Sequence, residues 1–153
     1  MQNRVFGELN YEYGWNGIVS LRWNEEEIEV DLVINGEEDE EIELMQYESY
    51  DNFMKNWINI KDKLLEEILV YYNNLRKELG YDDNSNQDYP EIANIEELKD
   101  MIGLDAIIIP NEGIYDGRCV ALAFHCSWDD ENGLGVVLVD EKISEIGYQD
   151  IAF

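Results

Sequence analysis

The sequence predicts an α+β fold, and two changes of hydrophobic period carry that prediction. Apolar residues alternate from Val5 to Met45, recur at three and four residues from Tyr50 to Leu79, and return to strand-like runs after Leu104. Half-buried strands repeat every second residue and amphipathic helices about every 3.6. The chain therefore reads as an antiparallel β-meander, a long amphipathic helix, a short helix, then C-terminal antiparallel strands. Its 153 residues fit a single α+β domain, 1–153, divided into a β-meander at 1–46, a helical middle at 47–103 and C-terminal β hairpins at 104–153.

In the meander, Val5, Leu9, Tyr11 and Tyr13 share one parity, followed by Val19, Leu21 and Trp23, then Ile28, Val30, Leu32 and Ile34. GWNG at Gly14 to Gly17, NEE at Asn24 to Glu26 and NGEED at Asn35 to Asp39 supply the turns, so a fourth strand ends with Ile42 and Leu44. One face is apolar, while the other carries Glu27, Glu29, Asp31 and Glu43. The helical stripe runs through Phe53, Trp57, Leu64, Ile68 and Tyr72, with Ser49 as N-cap, Lys77 in the last turn and Gly80 as the stop. A break is expected near Asn59 to Ile60. The width of the stripe calls for packing across the sheet.

YDDNSNQDYP, Tyr81 to Pro90, is a turn-rich surface loop. Its Asp82, Asn84 and Asn86 imitate the first half of a calcium loop. The imitation fails at Gln87, where the turn needs Gly, and at Ala93, where a bidentate Glu is required. Asn94 with Glu97 starts a short helix through Met101, closed by Gly103. Strands are expected at Leu104 to Ile109, Arg118 to Trp128, Leu134 to Val139 and Ile143 to Phe153, with Asp116–Gly117 as the strongest hairpin signal between them.

Charge narrows the function. Thirty-six acids against ten bases give a formal net charge of −26, and thirteen acids with no base lie between Arg22 and Lys55. Such a field repels phosphate, which excludes a nucleic-acid reader built on clustered Lys and Arg; the expected partner is a basic protein. Aromatic content of 12%, with four Trp and ten Tyr, marks a folded chain rather than an acidic tail. No apolar run is long enough to span a membrane and the N-terminus lacks a secretory pattern, so a cytoplasmic location is expected. Cys119 and Cys126 fall on opposite faces of one strand, which predicts free thiols.

The stretch FHCSWDDENGLGV, Phe124 to Val136, gathers the only His, a Cys and three consecutive acids. Strand alternation points His125 and Cys126 apart, so they do not form a nucleophilic pair. A structural zinc site wants four Cys or His ligands, and the chain holds three such residues. Asp129, Asp130 and Glu131 suit a hard cation but read as a solvated turn. None of the common phosphate-loop, nucleophile-elbow or zinc-helix motifs occurs. No catalytic residue, metal ligand or cofactor is predicted, and the chain is expected not to be an enzyme.

CSWDDENGLGVVL with IGYQDIAF, together with WNGIVSLRW, QYESYDNFM and VYYNNL, resembles an uncharacterised family of small acidic bacterial α+β proteins. Its members carry a Cys-x-Trp-Asp-x-Glu-His-Gly-Leu-Gly-Val-like segment, and some look like immunity proteins of bacterial toxin systems. Trp128, Asp129, Glu131, Gly133 and Gly135 hold the matching positions, whereas Asn132 stands where that pattern has His. The resemblance implies an α+β domain without an established activity, and the segment reads as a hairpin signature in which Asn is an ordinary turn residue.

Charge and resemblance together point to an immunity-like binding protein that docks a basic effector. Its contact residues are expected at Glu37, Glu38, Asp39, Glu40 and Glu41, then at Asp129, Asp130 and Glu131, with Trp15 as an aromatic anchor. Two alternatives stay open: a metal-dependent enzyme using Asp129, Glu131 and His125, and a structural or self-associating domain whose acidity merely solvates it.

Overall fold

The computed structural model describes residues 1–81 and 86–153, so Asp82 and Asn84 of the calcium-loop comparison lie outside the described residues. β1 (Gln2–Asn3) and β2 (Gly7–Glu8) form a small hairpin of their own. A seven-stranded sheet holds everything else: β3 (Asn10–Tyr11), β4 (Trp15–Trp23), β5 (Glu26–Ile34), β6 (Ile102–Ile109), β7 (Cys119–Cys126), β8 (Leu134–Val139) and β9 (Lys142–Gly147), in that spatial order. Between β5 and β6 the chain makes α1 (Leu44–Lys55), α2 (Trp57–Glu78) and α3 (Ile95–Lys99). A 3-10 turn, Gln149–Ala152, ends it.

β4 and β5 pair over nine residues each, closed by Asn24 and Glu25 at φ 52° and 68°, the left-handed geometry of a two-residue hairpin. The turn expected at Gly14 to Gly17 lies earlier. Asn16 folds its side-chain amide onto Glu12 O and Gly14 O, at 3.0 and 2.9 Å, which releases Trp15 to Gly17 into β4. Gly17 matters by what it lacks: a Cβ there would lie 2.8 Å from Leu9 Cδ2 and 3.1 Å from Glu8 O, where the N-terminal hairpin lies against β4.

The fourth meander strand is absent. Ile42 and Leu44 lead straight into α1, because Gln46 accepts the Glu43 N–H through its side-chain oxygen at 3.0 Å and Glu43 occupies the N-cap position expected at Ser49. Ser49 is buried inside α1 and donates its hydroxyl to Met45 O. Glu43 is thereby removed from the acidic strand face. The helix break falls at Asn56, φ −105° and ψ 8°, three residues before the expected position, where the Asn56 amide caps Asn52 O. α3 begins as expected, with Asn94 Oδ1 accepting from Glu97 N at 3.0 Å. It stops earlier than expected, and Gly103 belongs to β6 rather than to a helix end. The last expected strand likewise ends at Gly147, and the tail turns instead.

One pairing departs from an all-antiparallel sheet: β5 and β6 run parallel, with Asp31 opposite Ala106 and Ile34 opposite Ile109. A parallel neighbour needs a long crossover, and the helical middle is that crossover. α1 and α2 cover the front face, where Trp23 stacks on Trp57 at 6.2 Å and meets Phe124 at 5.7 Å. On the back face Ala106, Ile108, Ala121, Ala123 and Val137 lie under Tyr115, Ile151 and Ala152. The small residues are needed there: at Gly135 a Cβ would stand 2.5 Å from Tyr148 O. Beyond β6, Val33 of β5 still packs on this cluster, and past it the back face is bare, with Ile18, Glu27, Glu29 and Asp31 exposed on β4 and β5.

Cys119 points to the back core and Cys126 to the front, both buried and free. Burial pushes each thiol up to about 11 from an ordinary 9.0. The folded protein holds both protons where the unfolded chain has released them, so this contribution to stability is complete below pH 9 and is lost as pH rises toward about 11. At pH 8, a thiol-specific chromogenic reagent is expected to leave the native protein essentially unlabelled over minutes and to modify both thiols on addition of denaturant. Fast labelling of the native protein would show that one thiol is accessible.

Candidate functional site

β5 and β6 end side by side, at Ile34 and Ile109, and the acidic loop leaves the sheet from that end. Its start is fixed by Gln46, which is 1% exposed and donates to both Asn35 O at 2.8 Å and Ile109 O at 3.1 Å. Its finish is fixed by Glu43, whose Oε1 accepts from Asn111 Nδ2 and Glu112 N, both at 2.9 Å. Tyr11 donates its hydroxyl to Gly36 O at 2.9 Å. Between these anchors Glu37, Glu38, Asp39, Glu40 and Glu41 are all exposed, and none forms an ion pair among the described residues.

Trp15 lies against this loop. The loop from Glu38 to Ile42, Trp15 and Tyr47 enclose much of a groove of about 560 Å³, completed by Met1 and Asn3. Its aromatic wall is held in place: Trp15 meets Tyr11 edge-on at 5.1 Å, Tyr47 stacks on Phe6 at 5.0 Å, and Asn3 donates to the Tyr47 hydroxyl at 2.8 Å. The Tyr11 phenol is raised above its ordinary value, first by burial and then by Glu37 and Glu38, so the loop's negative field reaches the aromatic rim. A half-buried aromatic floor beside uncompensated carboxylates can accept the alkyl stem and the charge of Lys or Arg together.

Asp129, Asp130 and Glu131 do not join this site. Cys126 pairs with Ile102 at the start of β6, whereas the acidic loop follows the ends of β5 and β6, so an eight-residue strand, about 26 Å, separates the two groups. Asp129 is occupied within its own turn, accepting from Asn132 N at 3.1 Å and Asn132 Nδ2 at 3.0 Å, with Gly133 N donating to its carbonyl. Asn132 is thus a working turn residue. His125 is exposed on the back face and pairs with Asp105 at 2.7 Å, away from Cys126, whose thiol faces Asp129 O.

Gln46, Glu43, Tyr47 and Asn3 carry much of the site and went unpredicted, as did Asp105. The sequence signal for the first two was a Glu-x-x-Gln spacing ahead of a helix, readable as a reciprocal cap. Asp105 sits at a bulge between Leu104 and Ala106, which strict alternation does not reveal.

Among the described residues no three His, Cys, Asp or Glu side chains are grouped to hold a metal ion, and no helix is long and apolar enough to cross a membrane. No curated protein and no solved structure matches the chain. A family model described as Domain of unknown function (DUF6985) matches residues 5–153. That match takes in both the acidic groove loop and the C-terminal hairpin, and on it the protein belongs to the DUF6985 family.

Proposed function

We propose that this protein is a non-enzymatic acidic binding protein that docks a basic protein partner in the groove between Trp15, Tyr47 and the loop from Glu37 to Glu41. The observation that carries the reading is the meeting of four exposed, unpaired carboxylates, Glu38 to Glu41, with a fixed aromatic wall. The carboxylates steer a cationic surface inward and the net charge of −26 extends their reach, while Trp15 supplies the contact area that charge alone does not. In its finer form the partner is a basic effector such as a toxin nuclease. The protein is then an immunity-like inhibitor acting in the bacterial cytoplasm, its carboxylates pairing with the Lys or Arg that the effector uses on phosphate.

Affinity capture from a native lysate at low salt, with a salt step and identification of the eluate, tests this reading. One basic protein retained in stoichiometric amount is expected. Neutralising Glu37 to Glu41 together should abolish its retention, and Trp15→Ala should weaken binding by at least about tenfold. Retention of many basic proteins that is indifferent to Trp15→Ala would reduce the acidity to a solvated surface and overturn the proposal.

A further inference from the structure

We infer that the free edge of β4, from Gly17 to Leu21, is a second docking element, which accepts an extended basic segment as an added strand. The argument starts from the hairpin register. Trp23 and Glu26 flank a two-residue turn and are therefore a hydrogen-bonded pair, so odd-numbered residues of β4 bond to β5 and even-numbered residues turn their N–H and C=O outward. Two observations agree: Asn16 pairs outward with Asn10 of β3, and the outward Arg22 carbonyl accepts the Trp57 indole N–H at 2.8 Å. β3 is only two residues long and reaches no further than Asn16. The outward backbone groups of Ile18 and Ser20 accordingly have no strand hydrogen-bonded to them among the described residues, β2 lying near but pairing with β1 alone.

Ile18 is 61% exposed, and the edge opens into a groove of about 440 Å³ bounded by Phe6, Gly7, Glu8 and Gly17. Folded proteins blunt such edges with Lys, Pro or a bulge, and this stretch has none of them. Charge selects the occupant. Ile18 lies opposite Asp31 and Ser20 opposite Glu29, both acids exposed on the bare back face. Lys at alternate positions of an added strand reaches over the short Ser20 side chain to these carboxylates, while backbone bonds form to Ile18 and Ser20. A second copy of this chain brings another −26 of charge and is the disfavoured occupant. The inference takes from the proposed function only the sign of the partner's charge.

Titrating isotope-labelled protein with acetyl-Lys-Val-Lys-Val-Lys-amide at low salt tests it. Saturable shifts and slowed hydrogen exchange are expected at the Ile18 and Ser20 amides. N-methylating the backbone amides of the peptide's Lys residues, which face Ile18 and Ser20 in an antiparallel pairing, or making Ser20→Pro or the fold-neutral surface change Ile18→Lys in the protein, should weaken binding by about tenfold or more. Neutralising Glu37 to Glu41 should leave the shifts at Ile18 and Ser20 in place. Equal binding of the N-methylated peptide, or no binding, overturns the edge site. Shifts confined to the acidic loop overturn it too, while leaving the groove reading intact. A concentration-dependent dimer abolished by Ile18→Lys overturns it in favour of self-pairing.

Discussion

Phe124→Ala is expected to lower the unfolding free energy by about 3–5 kcal/mol, measured as a shift in the urea midpoint at unchanged slope. Phe124 has no solvent exposure and stands on β7, between β6 and β8, facing the helices. Its ring touches Trp23, which stacks on Trp57, which packs against Phe53 at 5.3 Å; removing it opens the sheet end of this aromatic chain, under Trp23. The neighbours that would have to move inward are on a sheet held from both sides, so the hole is not expected to collapse. One local feature favours the lower end of the range. The Trp23 indole N–H is buried without a partner among the described residues, and water entering the new cavity would give it one. A red shift in tryptophan emission should therefore accompany the loss. With total stability of order 5–15 kcal/mol for a domain, a loss this large leaves a marginal protein. A change below about 1 kcal/mol would mean that the front core does not pack around this ring.

The features that came through the sequence are those that repeat. Val19, Leu21 and Trp23 against Val30, Leu32 and Ile34 gave alternation and one buried face, and both hold, while the turn expected at Asn24 to Glu26 closes in the two residues Asn24 and Glu25. The stripe from Trp57 to Tyr72 buried as a helix must. Single, non-repeating decisions were missed. Ile42 and Leu44 continue the apolar alternation in composition, yet one side-chain bond from Gln46 to the Glu43 N–H turns the chain into α1 there. The parallel pairing of β5 with β6 depends on where a long crossover returns, and no local pattern encodes that. The candidate site divides along the same line. The acids and Trp15 were visible as residue types, whereas their meeting in one groove, and the distance of Asp129 to Glu131 from it, follow from the order of strands.

Gln46→Ala is expected to destabilise the protein by about 2–4 kcal/mol and to loosen the acidic loop ahead of global unfolding. One amide here serves three backbone groups: it donates to Asn35 O and Ile109 O and accepts from Glu43 N. Ile34 and Ile109 end the parallel strand pair and Asn35 follows directly, so the side chain clamps the sheet to the first turn of α1 at the point where the loop departs. Truncation orphans the Asn35 carbonyl and the Glu43 N–H and leaves Ile109 O with the Asn35 N–H alone, around a side chain 1% exposed, where water replaces the lost bonds poorly. Ser49→Ala is the control. Ser49 is as buried and lies on the same helix, but its hydroxyl serves only Met45 O one turn back, so less than about 1 kcal/mol is expected. Hydrogen exchange separates a local from a global effect: amides from Asn35 to Ile42 should exchange faster in Gln46→Ala while those of β7 and β8 follow global stability alone. If the loop carries the partner's charges, a floppy loop holds them less well, and the complex should dissociate faster at little change in association rate, because the carboxylates that steer encounter remain. Equal losses in Gln46→Ala and Ser49→Ala, with loop exchange unchanged, would show that the loop holds its shape without the clamp.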